Sequence, residues 1–148
     1  MIDITSYSPI EKQEVLEILH ENTPHYFTEE EVGDLIHYLD FEIEDYFVVK
    51  FEGKIIGSGG INYKENGTVG IISWDLISSK FQGMGIGSLL LSYRLDILQS
   101  KSRINKIIVR TTQLVYPFYE KHGFELIKTE KNYWGKGFDL YHMEINIS

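Results

Sequence analysis

The stretch SSKFQGMGIGSLLLSYRLDIL, residues 78–98, places three glycines within five positions and follows them with an apolar run. In that run the apolar residues recur every three or four positions, which predicts a helix over 86–98 with one buried face. The face we expect to be buried consists of Ile86, Leu89, Leu90, Tyr93, Ile97 and Leu98. A very flexible segment therefore leads directly into a regular one.

A glycine-rich entry to a helix is suited to holding an anion. The first N–H groups of a helix have no partner within it, and the helix dipole makes that end positive. Glycines let the main chain bend and keep side chains away from a bound anion. The spacing of Gly83, Gly85 and Gly87 matches neither a Walker A motif nor the dinucleotide-binding fingerprint. An ordinary flexible loop is the alternative.

The composition is that of a globular protein with a substantial core. The 148 residues are 43% hydrophobic and 24% charged, so we expect one domain over residues 1–148. The absence of cysteine excludes disulfides and thiolate metal sites and suits a cytoplasmic location. The sequence shows neither a signal-peptide profile nor an apolar run long enough to span a membrane.

Charge is distributed unevenly along the chain. The net charge of −8 argues against general nucleic-acid binding, which needs a basic face. Residues 1–50 carry 13 acids and 2 bases, whereas the rest carries 9 acids and 12 bases. This asymmetry suggests one cationic and one anionic ligand, although acidic surface helices would also explain it.

Hydrophobic periodicity predicts the element order β-α-α-β-β-β-α-β-α-β-β, a mixed α+β fold. Thr28 followed by Glu31 predicts a capping box at the start of the second helix. Glu52-Gly53 and Asn66-Gly67 are expected to form tight turns between strands. The apolar segment NKIIVR, residues 105–110, predicts a strand buried on both faces.

Two motifs give the chain a family resemblance. QGMGIG, residues 82–87, resembles the Q/R-x-x-G-x-G/A motif of the GNAT superfamily of acyl-CoA-dependent N-acetyltransferases, and VYPFYEKHGF, residues 115–124, resembles its second signature. The resemblance implies a mostly antiparallel sheet of six or seven strands with a splayed parallel pair, flanked by about four helices. It also implies acetyl-CoA as cosubstrate.

The resemblance also assigns roles to residues. The coenzyme diphosphate would be held by backbone amides of Gln82, Gly83, Gly85, Gly87 and Ser88. The pantetheine arm would pair with the backbone of Leu76, Ile77 and Ser79. An amide at or near Ile77 would face the acetyl carbonyl.

Tyr119, the second member of the Phe118-Tyr119 pair, corresponds to the family's general acid for the departing thiolate. Seven positions before it, Thr112 stands where the family often has an asparagine that contacts the coenzyme. Thr112 can donate one hydrogen bond but cannot bridge as an amide does. Val115 is larger than the residue usual near that position.

The general base stays open between His25, Asp75 and a relay of water molecules. Asp75 lies on the strand beside the expected thioester, and His25 lies in a loop between helices with Tyr26 and Phe27. The acids at 29–31 are more typical of a helix start than of a base. The histidines form no metal-ligand pattern. Trp74, Tyr133 and Trp134 could line an acceptor pocket.

These observations predict an enzyme that transfers an acetyl group from acetyl-CoA to a primary amine by direct attack. The acidic first 50 residues favour a cationic acceptor, such as a polyamine, an aminoglycoside, an amino-sugar or a lysine side chain, and protein or peptide amines remain alternatives. A sensor that binds acyl-CoA without turnover is the rival hypothesis. Analogy with the family suggests a homodimer.

Overall fold

The computed structural model describes residues 1–147, and its helices and strands follow the predicted order. Short 3-10 turns at Pro9–Glu11 and Ser79–Phe81 and a π-helical turn at Tyr38–Glu42 accompany the main elements. Those elements are β1 (Ile2–Ser6), α1 (Lys12–Glu21), α2 (Glu30–His37), β2 (Asp45–Phe51), β3 (Lys54–Lys64), β4 (Val69–Ile77), α3 (Ile86–Ser100), β5 (Lys106–Thr111), α4 (Tyr116–Lys121), β6 (Glu125–Gly135) and β7 (Phe138–Asn146).

The seven strands form a sheet in the order β1-β2-β3-β4-β5-β7-β6. It is mostly antiparallel, and its one parallel pair is β4 with β5. That pair runs from Val69 opposite Lys106 to Ile72 opposite Val109. Seven strands, one parallel pair and four helices confirm the predicted fold class.

Chain contacts divide the protein into two compact units. The first comprises Met1–Asn62 and Ser73–Ile97, and the second is the remainder of the described chain. The expectation of a single domain stays a prediction. The core of the first unit packs the apolar face of α1 against α2 and the strands, because those residues recur at helical spacing. Its buried members are Val15, Leu16, Ile18, Leu19, Leu35, Tyr38, Leu39, Tyr46, Val48, Ile55 and Leu76.

The second unit is built around β5. Ile107, Ile108 and Val109 are at most 4% exposed, which confirms the prediction of a strand buried on both faces. β5 pairs antiparallel with β7, whose Leu140 and Met143 are also buried. The outer strand β6 pairs with β7 and is exposed along most of its length.

Both predicted tight turns are present. Glu52 and Gly53 have φ values of 52° and 78°, and Asn66 and Gly67 have values of 59° and 79°. Successive residues with positive φ are typical of the turns that join antiparallel strands, and in the second turn the run begins one residue earlier, at Glu65 with a φ of 52°. The sequence therefore located these two strand connections correctly.

The buried face of α3 differs from the prediction. Leu89 and Tyr93 are 43% and 38% exposed, whereas Leu91 and Arg94 are fully buried. The expected positions Ile86, Leu90 and Leu98 are buried, and Ile97 is half-buried. Several faces of this helix are apolar, so periodicity could not select the buried one, and a buried arginine was not expected. Within residues 1–147, no helix combines the length and apolar character needed to cross a membrane.

Candidate active site

The glycine loop between β4 and α3 adopts a conformation that requires glycine. Gly83 and Gly85 have φ values of 79° and 82°, in the left-handed region that L side chains rarely occupy. A Cβ built on either residue would meet no atom within 4 Å. The glycines are thus needed for main-chain geometry and not for close packing, and the loop main chain lies at the surface.

Helix α3 begins at Ile86, directly after this loop. In its first turn, the Leu89 amide donates to the carbonyl of Gly85, the residue directly before the helix, at 3.0 Å. The amide-rich, positive end of the helix therefore lies beside exposed glycine main chain, which favours a bound anion. Gly87 and Ser88 belong to this first turn and are half-buried.

Two residues at the end of α1 hold the start of the loop. Glu21 Oε1 accepts hydrogen bonds from the Ser79 amide at 2.9 Å, the Ser79 hydroxyl at 3.0 Å and the Ser78 hydroxyl at 3.1 Å. Burial alone would raise the pKa of the Glu21 carboxyl, but these bonds outweigh it and leave the pKa below its usual value. Asn22 Oδ1 accepts from Gln82 Nε2 at 2.8 Å.

The end of β4 carries the groups expected to pair with pantetheine. Leu76 is buried and Ile77 is half-buried. The Ile77 carbonyl accepts from Asn22 Nδ2 at 3.0 Å and from Gln82 Nε2 at 3.4 Å, and the Ser79 amide donates to Glu21. Pairing of pantetheine with the Ser79 amide would therefore have to replace a bond that the protein already makes.

Asp75 lies against a buried arginine. Its Oδ1 is 2.5 Å from Arg94 Nη1, and the two side chains are 19% and 0% exposed. Arg94 also donates to the Gly60 carbonyl at 3.1 Å and to the Leu90 carbonyl at 3.2 Å. Strand alternation left the direction of Asp75 open, and the preceding residue Trp74 breaks that alternation with a φ of 50°.

Aromatic rings surround Trp74 in the first unit. Phe27 stacks on Trp74 with ring centroids 6.3 Å apart, and Tyr38 lies 6.2 Å away at a tilt. The Tyr46 hydroxyl donates to the Trp74 carbonyl at 3.0 Å, which holds the irregular part of β4. Burial raises the pKa of both Tyr38 and Tyr46 above the ordinary value of a phenol.

The candidate acceptor loop between α1 and α2 carries His25, which is exposed and packs edge-on against Tyr26 at 4.4 Å. Glu31 accepts from the Thr28 amide at 2.9 Å and from its hydroxyl at 3.3 Å, which confirms the Glu31 half of the predicted capping box. Burial raises the pKa of Glu31. Among the described residues, no three His, Asp or Glu side chains group as metal ligands.

Tyr119 lies in the second unit, on the short helix α4. Its side chain is 3% exposed and packs edge-on against Phe118 and Phe124, at centroid distances of 5.1 and 5.7 Å. The Tyr119 carbonyl accepts from the amides of His122 and Phe124, and Gly123, just after the helix, has a φ of 99°. This packing limits the movement of the Tyr119 ring.

Thr112 organises the turn before α4. Its hydroxyl accepts from the Leu114 amide at 3.2 Å, and its carbonyl accepts from the amides of Val115 and Tyr116. Thr112 thus has a local structural role that is independent of any coenzyme.

The two aromatic residues on β6 lie together with an arginine that the sequence did not single out. Arg110 Nη2 donates to the Tyr133 hydroxyl at 3.1 Å, and its guanidinium lies 5.0 Å from the Tyr133 ring centre and 5.9 Å from that of Trp134. Trp134 donates to the Thr111 carbonyl. Arg110 is exposed and directly follows the apolar residues 107–109 of β5, and a cation at the end of that apolar run was the available signal.

Comparison with known proteins identifies the family. The model of the acetyltransferase (GNAT) family matches residues 12–124. No protein with curated function matches the chain in a sequence search.

Among solved structures, a GNAT-family acetyltransferase from Streptococcus pneumoniae is 20% identical over 100% of both chains, with a TM-score of 0.76. The ribosomal-protein-S18-alanine N-acetyltransferase from Escherichia coli is 17% identical, over 100% of this chain and 95% of its own, with a TM-score of 0.81. Naa50 from Arabidopsis thaliana, in complex with the bisubstrate analogue CoA-Ac-MVNAL, is 18% identical over 99% of both chains, with a TM-score of 0.75. At these identities the likeness concerns the fold. The family match over most of the chain shows that this protein belongs to the GNAT family of acetyltransferases.

Proposed function

We propose that the protein transfers an acetyl group from acetyl-CoA to a primary amine by direct attack. The observation that carries the proposal is the loop at Gly83 and Gly85, whose left-handed glycines present main-chain amides at the start of α3. Such a cradle suits a diphosphate, because its donors are backbone N–H groups and three of its positions, Gly83, Gly85 and Gly87, carry no side chain. Family membership makes the diphosphate of acetyl-CoA the natural occupant.

In this proposal the backbone of Gln82, Gly83, Gly85, Gly87 and Ser88 binds the diphosphate. Leu76 and Ile77 border the pantetheine arm, and Thr112 adds a contact through its hydroxyl. The bound acetyl-CoA supplies an activated carbonyl and a thiolate leaving group. The absence of cysteine agrees with direct transfer, since the commonest acyl-accepting nucleophile is missing.

The acceptor amine has to be neutral to attack. With an ordinary pKa of about 10.4, only about one alkylamine in a few thousand is neutral at pH 7, so a base contributes about 10²–10⁴-fold. Asp75 is engaged with Arg94. His25 and a relay of water molecules are therefore the stronger candidates for the base. Formation of the C–N bond and cleavage of the C–S bond yield the N-acetylated amine and the free thiol.

Tyr119 is proposed to donate the proton that the departing sulfur needs. An ordinary phenol has a pKa about 1.5 above that of a thiol, so full proton transfer is uphill by about 2 kcal/mol. Tyr119 can overcome this barrier by first donating a hydrogen bond to the sulfur and transferring the proton late in the reaction. The restricted orientation of the buried Tyr119 ring supports this role, because a general acid must be held in a fixed position.

The acidic first unit supports a cationic acceptor. The first 50 residues carry a net charge of −11, and aromatic rings surround Trp74 in the same unit. Aromatic faces and carboxylates together attract ammonium groups. A small polyamine, an aminoglycoside, an amino-sugar or a lysine side chain would suit this environment.

The proposal is tested by measuring thiol release from acetyl-CoA across a panel of amines and peptides. We expect Tyr119→Phe to lower kcat about 10²-fold while the Kd for coenzyme A stays within about twofold. Tyr93→Phe is the matched control, because Tyr93 is a partly exposed tyrosine on α3 outside the proposed site. Binding of acetyl-CoA without turnover on any acceptor would instead favour a non-catalytic acyl-CoA sensor.

A further inference from the structure

Asn22 connects three segments of the first unit through its side chain. The residue is 4% exposed and follows the last residue of α1. Its Nδ2 donates to the Ile18 carbonyl at 2.9 Å and to the Ile77 carbonyl at 3.0 Å, while its Oδ1 accepts from Gln82 Nε2 at 2.8 Å. One buried amide thus joins helix α1, the end of β4 and the glycine loop.

The main chain of Asn22 also shapes the neighbouring loop. Its carbonyl accepts from the Tyr26 amide at 2.8 Å and from the Phe27 amide at 3.3 Å. Those bonds close the turn that brings Phe27 onto Trp74. The same residue therefore fixes both the glycine loop and the aromatic part of the candidate acceptor side.

Only an amide side chain meets these requirements. The Ile18 and Ile77 carbonyls need donors, and Gln82 Nε2 needs an acceptor, so the position requires two donors and one acceptor in a small volume. Aspartate would offer no donor. Leucine would remove the donor from the Ile18 carbonyl and leave the Ile77 carbonyl with only the 3.4 Å bond from Gln82, which is unfavourable. This chemical demand suggests a purpose beyond filling space.

We propose that Asn22 is a positioning residue that holds the loop of Gly83 and Gly85 in its anion-binding conformation and thereby sets the affinity for coenzyme A. The inference rests on the proposed function, because it assumes that this loop binds the coenzyme. Glu21 assists by holding Ser78 and Ser79, immediately before the loop. A loop that is ordered before its ligand arrives loses less conformational entropy on binding and binds more tightly.

The test is a double-mutant cycle read by calorimetry with coenzyme A. Asn22→Ala and Gln82→Ala remove the same hydrogen bond from its two ends, and we expect each to raise the Kd about 5- to 20-fold. The Kd of the double variant should be about equal to the higher of the two single-variant Kd values, because the two side chains act through one contact. Glu17→Ala, at an exposed position on α1, is the control and should bind like the wild type.

The outcomes separate this inference from the proposed function. Suppose that the wild type binds coenzyme A. Unchanged Kd values in both single variants would then overturn the role of Asn22 but not the proposed function, and so would fully additive effects in the double variant. Absence of coenzyme A binding by the wild type would overturn the proposed function and this inference with it. Thermal unfolding of each variant shows whether it folds. If Asn22→Ala does not fold, Gln82→Ala decides, because Gln82 is exposed.

Discussion

Two glycine-rich stretches of the first unit need glycine for opposite reasons. In the loop, Gly83 and Gly85 have positive φ values, and an added Cβ would meet no atom within 4 Å. In β3, a Cβ on Gly59 would lie 2.5 Å from Asp75 Oδ1 and 2.9 Å from Arg94 Nη1. The loop uses the conformational freedom of glycine, and the strand uses its lack of volume.

The difference teaches how each stretch should respond to mutation. A side chain in β3 collides with a packed interior that yields only with difficulty. A side chain in the loop strains the main chain at the surface, where the fold depends on it less. Substitution of a β3 glycine should therefore mainly lower the free energy of unfolding, and substitution of a loop glycine should mainly weaken ligand binding.

The largest effect is expected for Gly60→Ala. The added Cβ would lie 2.5 Å from Tyr46 Cδ1 and 2.6 Å from the Asp45 carbonyl oxygen, and the latter belongs to the main chain and cannot rotate away. We expect the free energy of unfolding to fall by about 3 kcal/mol, as in other overpacked interiors. Urea denaturation measures it.

Gly33→Ala is the matched control for Gly60→Ala. Gly33 lies inside α2, and a Cβ there would meet no atom within 4 Å. Alanine is the better helix former, so this variant should gain about 0.5–1 kcal/mol. If both variants lost the same free energy of unfolding, packing around β3 would not be the cause of the loss in Gly60→Ala.

The second effect concerns binding. Gly83→Ala forces a β-carbon into the left-handed region at a cost of about 1–2 kcal/mol, so the loop should leave its observed conformation. We expect the Kd for coenzyme A to rise about 10-fold while the free energy of unfolding falls by about 1 kcal/mol or less. Calorimetry and urea denaturation on the same sample measure both. If Gly83→Ala lost as much stability as Gly60→Ala and kept its affinity for coenzyme A, the proposed difference between the loop and β3 would be wrong.

The smallest effect is a pH dependence at the anchor of the loop. The pKa of Glu21 is lowered from 4.5 in the folded protein, so its ionised form stabilises the fold above pH 4.5, and this contribution is lost as the pH falls through the folded pKa. Because the residue is exposed, we expect at most about 0.5 kcal/mol. Glu21→Gln should be less stable than the wild type at pH 7, and the difference should shrink below pH 4.5. If the stability difference between the wild type and Glu21→Gln stayed constant from pH 7 to pH 3, ionised Glu21 would not be its source.

Local sequence signals predicted much of the fold. The helix start after the glycines, the turn at Asn66-Gly67 and the apolar strand β5 each depend on neighbours in sequence, and the structure confirms all three. The capping glutamate Glu31 was found for the same reason. Propensity, turn geometry and hydrophobic period are encoded within a few residues, so they can be recognised without the rest of the chain.

Contacts between distant residues could not be predicted in this way. Arg94 was overlooked because its partners Asp75 and Gly60 lie on other elements, and a charged residue is rarely expected in a core. The role of Asn22 could not be predicted from its neighbours in sequence, because its bonds to Ile77 and Gln82 span more than fifty positions. The glycines of β3 were unexplained for the same reason. At Gly59 the cause is Asp75 together with the Arg94 side chain from α3, and at Gly60 it is Tyr46 with the Asp45 carbonyl.

Met84 sits between the two left-handed glycines and is 65% exposed. The chain has three methionines and no cysteine, so an oxidant such as peroxide meets thioether sulfur and no thiol. Met143 is fully buried, whereas Met1, which precedes β1, is 90% exposed, so the accessible thioethers are those of Met1 and Met84, and Met84 is the one in the glycine loop. Conversion to the sulfoxide would place a polar group at the tip of that loop. Storage conditions for this protein should therefore be chosen to protect a thioether.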